Sequence, residues 1–537
     1  MLTRVAAVVL LLMTCRFAAA QHPLPLAASW QTGHHTALDQ YYPGWQMDMI
    51  DEGHAMLPCF SFPGPAAEMP DEDYARAGAD VYFVEPMRRA AEAGLPICLT
   101  STQWERYLYD DERYLDLPPE QNPNVVTVDG EIQKRVSPFG PIEHWRELGR
   151  AWTASPFMQQ MQDLYPDPPY VILLSNNEAG HLRWHQAEQS ARYMEMYGAG
   201  RSDEFKRKVV GDGYIERYTA LFDAMREGLD EWRDRAILVG YGGVEPHMGR
   251  WGQWRDYSQV TPDRLSITPY IWDGCSGSYY VNDWQGNSDG WKGYCPQVSF
   301  MNVVVQLQRY REVNPYFFWE ISTWMDPKWK AKMIEAGQEV PPERYRGFVT
   351  YGMWLTRPRV VRHFVGWHIK RQEDWRWYEQ VVQAVDAVNG TDTLAEFWRE
   401  GELVANTSQE HPFQSHIPEL VQDEPRWFAL NTSLDPWRPH DVAAAQILNL
   451  EFRVWALAIQ TGEAPERRWL VYAHAPLGDE ANVQVDVPGY GGITMDIARG
   501  GSYFVIDEAT GAAHAVMTED GRTGKRAWFP CLAEGAN

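Results

Sequence analysis

Two glutamates follow short apolar runs in a way that could support acid–base and nucleophilic chemistry. Glu178 ends the stretch 170–178, and Glu320 ends the stretch 316–320. Retaining hydrolysis of a glycosidic bond needs two such carboxyl groups about 5 to 5.5 Å apart. One of them, here Glu178, would donate a proton to the leaving oxygen, while Glu320 would attack the anomeric carbon. The sequence predicts this pair, with Glu105 and Glu245 as rival carboxylates.

Eight short apolar runs alternate with helical segments, which is the pattern of a parallel sheet covered by helices. The expected strands are 26–30, 55–61, 95–101, 171–175, 237–240, 265–270, 316–320 and 360–366. The expected helices include 71–93, 142–164, 214–233, 303–313, 342–355 and 375–388. Eight such units predict an α/β fold, a (β/α)8 TIM barrel, whose active site lies at the carboxyl ends of the strands.

The composition changes near residue 427 to alternating strands, at 452–459, 469–474, 483–487, 493–498 and 502–506. This pattern predicts a small C-terminal antiparallel β-sandwich. The expected division is a signal peptide at 1–20, the catalytic barrel at 21–424 and the β-sandwich at 425–537. We expect the sandwich to brace the barrel; the alternative is an independent sugar-binding module.

The N-terminus has the three parts of a secretory signal peptide. Arg4 precedes an apolar run at 5–13, and three alanines at 18–20 precede Gln21. The apolar run is too short to span a bilayer. We therefore expect a secreted or periplasmic protein without a membrane span, and without lipoprotein anchoring through Cys15.

The composition favours a carbohydrate partner over a nucleic acid. A net charge of -25 opposes binding to phosphates, which needs clustered Lys and Arg. The chain contains 25 Trp and 27 Tyr, whose flat faces can stack on sugar rings. Many of them fall in the long segments expected after the third, fourth and sixth strands, at 104–141, 181–213 and 271–297.

The pair of glutamates carries a family resemblance. Asn177-Glu178 at the end of the fourth strand and Glu320 at the end of the seventh resemble the acid/base and nucleophile of the retaining glycoside hydrolases of clan A. The resemblance implies that Asn177 binds the sugar 2-hydroxyl, that Tyr270 donates a hydrogen bond to Glu320, and that Trp367 forms the floor of the cleavage subsite.

The resemblance also has a departure and leaves the substrate open. Many clan members have an Arg at the end of the second strand, where this chain has Ser61-Phe62-Pro63, so Arg106 is the candidate for supporting the nucleophile. Within clan A, the expected architecture of this chain resembles that of enzymes that degrade algal galactans of the agar or carrageenan type. The alternatives are a catalytically inactive glycan-binding barrel and an exo-acting β-galactosidase or β-glycanase on plant polysaccharide.

Further substrate contacts are expected from aromatic and histidine side chains near the strand ends. These are Trp30, His34, Trp104, His181, Trp184 and Trp272. The histidines have no short zinc-type spacing, so we expect no metal and no cofactor. A Ser-His-Asp hydrolase is set aside because its elbow motif has the wrong spacing here. The expected partner is a polysaccharide or oligosaccharide, bound by a monomer or a simple homo-oligomer.

The cysteines divide into two pairs with different expected states. Cys275 and Cys295 bracket a Gly-, Trp- and Tyr-rich segment placed after the sixth strand, and we expect a disulfide between them in an oxidising compartment. Cys59 and Cys98 fall on neighbouring strands, and we expect them to be reduced core residues.

Overall fold

The computed structural model describes most of the chain in thirteen stretches. These are residues 22–29, 45–62, 64–65, 83–101, 104–175, 181–243, 274–280, 316–322, 342–364, 371–408, 428–434, 453–476 and 478–518. The strands are β1 Leu26–Ser29, β2 Cys59–Ser61, β3 Ile97–Ser101, β4 Asn124–Val126, β5 Ile132–Val136, β6 Val171–Ser175, β7 Ala236–Gly243, β8 Gly274–Tyr280, β9 Tyr316–Ser322, β10 Val360–Phe364, β11 Glu402–Leu403, β12 Trp455–Thr461, β13 Arg468–His474, β14 Glu480–Val487, β15 Gly491–Ile497, β16 Ser502–Asp507 and β17 Ala512–Val516. The helices are α1 Trp45–Asp51, α2 Glu85–Glu92, α3 Tyr107–Asp110, α4 Glu112–Leu115, α5 Glu143–Thr153, α6 Pro156–Leu164, α7 Ala191–Tyr197, α8 Asp203–Gly228, α9 Pro342–Thr356, α10 Arg371–Gly390 and α11 Asp392–Glu400, with a 3-10 helix at Trp184–Gln189.

The main sheet has eight strands, and all of its strand pairs are parallel. Its order is β1-β10-β9-β8-β7-β6-β3-β2, so from β2 to β10 the strands of this sheet that follow one another along the chain are neighbours, and β1 pairs with β10. A parallel bridge between Ala27 and Met56 also links β1 to the chain just before β2. A parallel strand pair requires a crossover, which explains the helices in those connections between the strands that the structure describes.

Seven of the eight predicted strands overlap observed strands, and the sixth, expected at 265–270, lies outside the described residues. The strand that pairs with both β7 and β9 is β8, Gly274–Tyr280, which the sequence pattern did not predict. The β8 sequence GCSGSYY is rich in Gly and Ser and has no apolar run, so the pattern of a buried strand does not identify it. Cys275, which was expected in the segment after the sixth strand, lies within β8.

Local capping explains two differences among the helices. The predicted helix 142–164 is two helices, because Ser155 caps α6 by accepting a hydrogen bond from the Met158 amide and Pro156 occupies its first turn. The helix predicted from residue 214 instead begins at Asp203, with the Ser202 hydroxyl accepting from the Phe205 amide. The extra segment expected at 181–213 is therefore shorter, since its last eleven residues belong to α8.

The two faces of the main sheet bury different sets of residues. One face packs against the helices through residues such as Leu99, Leu173 and Trp319. The other face forms a separate apolar cluster drawn from strands at both ends of the sheet order. Its members are Ala28, Leu57, Cys59, Cys98, Ile172, Leu174, Ile237 and Val360.

The C-terminal part contains a five-stranded antiparallel sheet, ordered β11-β12-β13-β16-β17, and the hairpin β14-β15. Residues alternate along β12: Leu457 packs with α9 and α10, whereas Ala456 packs toward β14 and β15. The Trp354 indole on α9 donates a hydrogen bond of 2.9 Å to the Tyr503 hydroxyl on β16. The five-stranded sheet therefore lies between the helices and the hairpin. Its pairing extends back to β11, before the boundary expected at residue 424.

Candidate functional site

The carboxyl ends of β3 and β6 are neighbours in the sheet. Ser101 on β3 is in register with Ser175 on β6. Glu105 follows Ser101 by four residues and Glu178 follows Ser175 by three. The strand ends that precede these two glutamates along the chain are therefore adjacent in the sheet.

The backbone of β9 places position 320 on the sheet face that carries the apolar cluster of Ala28, Cys59 and Cys98, which we call the inner face. Trp319 and Ile321 are buried in the cluster that contains α9 and α10. Because successive residues of a strand alternate between faces, position 320 lies on the opposite face. In the adjacent strand β10, Arg362 is the register partner of Glu320.

Arg362 is a cation buried on this inner face. It is only 3% exposed. Burial opposes ionisation of the Cys98 thiol, yet Cys59, Arg362 and Thr100 together lower its pKa. The pKa of the Cys59 thiol is raised by its hydrogen bond with Cys98 and by burial, and the Arg362 charge opposes this. The guanidinium charge therefore acts within the cluster that contains the two thiols. Both thiols are buried and unbridged, as predicted.

Glu105, His181 and Tyr218 form a buried group that we call the Glu105 cluster. The His181 Nε2 atom lies 2.6 Å from the Tyr218 hydroxyl and 3.5 Å from the Glu105 Oε1 atom. Glu105 is completely buried, and His181 is 4% exposed. Glu105 therefore cannot touch a substrate, which removes it as the rival catalytic carboxylate.

Burial keeps the Glu105 cluster uncharged over a wide pH range. It raises the pKa of the Glu105 carboxyl to about 7, although the backbone amide of Glu105 and the Tyr218 hydroxyl partly oppose the shift. It lowers the pKa of His181 to about 3. Between about pH 3 and about pH 7 both groups are therefore neutral, so the 3.5 Å contact between them is not an ion pair.

The chain after His181 is anchored by a second tyrosine of α8. The Tyr214 hydroxyl accepts a hydrogen bond of 2.6 Å from the Leu182 amide and lies 3.1 Å from the Val136 carbonyl. Val136 also forms a parallel bridge with His181. Tyr214 and Tyr218 are four residues apart, so they lie on the same face of α8.

The raised pKa of Glu105 gives a stability prediction. Between pH 4.5 and about 7 the unfolded chain releases the Glu105 proton while the folded chain keeps it, so this group lowers stability as pH rises through that window. Glu105→Gln cannot ionise. We therefore compare the unfolding free energy of Glu105→Gln with that of wild type at each pH. As pH rises from 4 to 8, this difference should shift in favour of the variant by up to about 3 kcal/mol.

Chemical denaturation at a series of pH values measures this difference. Any pH-independent effect of the Gln side chain on stability is the same at every pH, so it does not affect the change with pH. The exposed variant Glu112→Gln is the control and should follow wild type. A Glu105→Gln curve parallel to wild type at all pH values would contradict the burial of an ionisable group here.

Several predicted substrate contacts have other roles in the structure. Trp104 is completely buried and packs on Trp152 with ring centroids 4.6 Å apart, so its assignment as a sugar contact was wrong. His181, which was also predicted to contact substrate, is buried against Tyr218 and Glu105. Trp184, in the 3-10 helix, is partly buried, with the Arg207 guanidinium 4.2 Å from its ring centre. Arg106 is exposed and pairs with Asp110 at 2.6 Å, so it does not support the nucleophile.

The remaining candidates fall outside the described residues and stay predictions. They are Trp30, His34, Asn177, Glu178, Glu245, Tyr270, Trp272, Trp367 and Cys295. For Glu320 and Cys275 only the backbone is described. Within the stretches that the structure describes, no group of three or more His, Cys, Asp or Glu could hold a metal ion. No described helix is long and apolar enough to cross a membrane.

Sequence reasoning missed three residues of this region: Arg362, Tyr214 and Tyr218. The charge of Arg362 inside the short strand 360–364 was a usable signal, because a charged residue is almost never buried without a partner. The two tyrosines carried no comparable signal, since tyrosines four residues apart on a helix usually serve packing.

Comparison with known proteins gives low similarities. No protein-family model and no curated protein sequence matches the chain. A β-galactosidase from the psychrophilic Marinomonas ef1 is 10% identical over 68% of this chain and 60% of that chain, with a TM-score of 0.43. The PgaB glycoside hydrolase domain from Bordetella bronchiseptica is 10% identical over 68% and 99%, with a TM-score of 0.40. An agarase is 14% identical over 55% and 46%, with a TM-score of 0.27. These values are too low to assign an activity.

Proposed function

We propose that this chain is a secreted, retaining β-glycoside hydrolase that cleaves a polysaccharide. Glu178 is the acid/base, and Glu320 is the nucleophile. The observation that carries the proposal is the position of Glu320 on the inner face of an all-parallel eight-stranded sheet, in register with the buried cation Arg362. A carboxylate beside a fixed positive charge stays ionised, as a nucleophile must.

The proposal includes closure of the main sheet into a (β/α)8 barrel. The Ala27–Met56 bridge supports closure, because it joins the two ends of the strand order. Asp386 on α10 supports it as well, since its carboxylate accepts from the Ala55 amide at 2.9 Å and bonds the His54 ring at 2.6 Å. In a barrel, β6 and β9 face each other across the mouth, so Glu178 and Glu320 could act on the same sugar.

Export and substrate class rest on the sequence. The leader at 1–20 supports secretion, and the aromatic segments after the strands support a glycan substrate. Within the polysaccharides, we propose algal galactans of the agar or carrageenan type as the first substrates to test. Asn177 would bind the 2-hydroxyl, and Tyr270 and Trp367 would complete the subsite.

A glycan panel tests the proposed activity. Agar, carrageenan, β-mannan, β-glucan and β-galactoside substrates are incubated with the mature protein, and released reducing ends are measured and identified by mass spectrometry. Release from at least one β-linked glycan is expected. Tight binding without release from any of them would favour an inactive glycan-binding barrel instead.

The role of Arg362 gives a pH prediction. Its charge lowers the pKa of a neighbouring carboxylate, so removing the charge should raise the pKa of Glu320. Activity that needs ionised Glu320 is then lost at a higher pH as the solution is acidified. We expect the acidic limb of the kcat/KM profile to move upward by about one unit or more in Arg362→Met.

Two variants keep this test interpretable. Arg362→Lys retains a charge and should move the limb less, while Arg359→Met removes a guanidinium that lies over Tyr170 and should leave the limb in place. If the acidic limb of a folded Arg362→Met variant does not move, Arg362 does not keep the nucleophile ionised, and this part of the proposal is contradicted.

A further inference from the structure

Three arginines near the hairpin β4-β5 have no part in the proposed mechanism, and we call them the arginine group. They are Arg135 on β5, Arg183 just before the 3-10 helix, and Arg207 on α8. Within the stretches that the structure describes, none of the three pairs with a carboxylate, whereas Arg106 and Arg150 do. Such a group is unexpected in a chain where 73 Asp and Glu residues outnumber 48 Lys and Arg residues.

Backbone pairing joins the two segments that carry Arg135 and Arg183. Val136, next to Arg135, forms a parallel bridge with His181, and Thr127, just after β4, forms an antiparallel bridge with Ser190. The hairpin follows β3 along the chain, and the 3-10 helix follows β6. In a (β/α)8 barrel the active site is built from the segments that follow the strands. Both segments are of that kind in the proposed barrel.

Arg135 is held in place by neutral partners. Its guanidinium donates to the Gln186 Oε1 atom at 2.8 Å and to the side-chain oxygen of Gln133. Burial lowers the pKa of Arg135, Tyr214 opposes this shift, and the Arg183 charge lowers the pKa further. The two guanidinium charges therefore act on each other, and a bound anion would relieve their repulsion.

Arg183 and Trp184 leave surface that a ligand can contact. Arg183 is exposed, and its side chain forms neither a hydrogen bond nor an ion pair within the described residues. Glu188, in the same 3-10 helix, pairs with Lys206 at 2.9 Å and so does not neutralise Arg183. Trp184 is partly buried, and the Arg207 guanidinium over its ring holds the indole in place. The region therefore offers two guanidinium groups beside a partly exposed aromatic ring.

We propose that Arg135 and Arg183, beside Trp184, form a subsite for an anionic group carried by the glycan, either a sulfate ester or a carboxylate. The guanidinium binds such oxyanions through two parallel N–H donors, and these charge-assisted hydrogen bonds are stronger than neutral ones. The inference rests on the proposed function and deepens it, because it narrows the substrate class to acidic polysaccharides.

Calorimetry with matched pairs of ligands tests the subsite by binding alone. The first pair is a κ-carrageenan oligosaccharide and the same oligosaccharide after chemical desulfation. The second pair is an oligo-β-mannuronate and its carboxyl-reduced, neutral counterpart. At low ionic strength, wild type should bind the acidic member of at least one pair about tenfold more tightly than the neutral member. The pair that shows the preference identifies the anion as sulfate or carboxylate.

Two variants connect this preference to the arginines. We expect Arg135→Gln and Arg183→Gln each to weaken binding of the preferred acidic ligand about tenfold, while affinity for its neutral counterpart changes less than about twofold. Arg146→Gln is the control, because Arg146 pairs with Glu143 on the surface of α5 at 3.2 Å. It changes the net charge equally and should alter neither affinity. Because Arg183 is exposed, Arg183→Gln keeps the test valid if Arg135→Gln does not fold.

The outcomes separate the subsite from the proposed activity. Wild type that binds neither acidic ligand, or binds acidic and neutral members equally in both pairs, would overturn the subsite. An acidic preference that survives in both arginine variants would also overturn it, because the anion would then bind elsewhere. If the arginines are required for binding but wild type cleaves no glycan, the subsite stands and the proposed hydrolase function fails.

Discussion

Glu320→Ala is expected to reduce turnover by at least about 10⁴-fold while leaving substrate affinity nearly unchanged. Without the nucleophile no glycosyl-enzyme can form, whereas the contacts that bind the remainder of the glycan are intact. The loss is measured by reducing-end release, and binding is measured separately by calorimetry with an oligosaccharide substrate. The exposed residue Glu343 provides the control variant Glu343→Ala, which should retain wild-type turnover.

A Glu320→Ala variant with more than about a tenth of wild-type turnover would contradict the assignment. Attention would then return to Glu245, since Glu105 is excluded by its complete burial.

Glu178→Ala is expected to respond differently to different leaving groups. Natural glycans have poor leaving groups and need the proton, so their cleavage should fall by about 10² to 10⁴-fold. Aryl glycosides with acidic leaving groups should lose much less in the first step. Azide needs no general base, so it should attack the glycosyl-enzyme and restore turnover with a β-glycosyl azide as product.

The control for this prediction is Glu188→Ala, in the same region of the chain. Glu188 pairs with Lys206 at 2.9 Å on the surface, and its loss should change neither activity nor the response to azide. If azide instead rescues Glu320→Ala and gives an inverted product, the two roles are exchanged.

The strands of the main sheet were predictable where burial on both faces produces a continuous apolar run. β6, with the sequence VILLS, is such a strand, and its observed bounds are those predicted. β8 was not predictable in this way, because GCSGSYY has no apolar run to detect. Its assignment requires the pairing with β7 and β9, which is a property of the whole sheet.

The site was predictable only in its strand-end glutamates. Trp104 was expected to bind sugar, but abundance of aromatics cannot distinguish a cleft from a core, and Trp104 packs among Trp152 and Phe62. The Glu105 cluster joins residues from a β3 segment, a β6 segment and α8. No local spacing relates these three places, so their contact depends on how the helix packs on the sheet.

Arg362 shows the opposite case. Its register with Glu320 follows from simple pairing of consecutive strands once both strand ranges are known. The predicted ranges 316–320 and 360–366 already contained both residues. The local sequence patterns therefore contained both Arg362 and Glu320, and only the pairing of the two strands shows that these residues are neighbours.

Proton NMR of the first-formed product tests the central claim most directly. A β-linked oligosaccharide is hydrolysed in the tube, and the anomeric signals are followed before mutarotation. Double displacement through Glu320 predicts that the β anomer appears first and the α anomer only later, as mutarotation proceeds. Initial appearance of the α anomer would contradict the account, because it requires direct attack by water and a pair of carboxyl groups too far apart for Glu320 to act as the nucleophile.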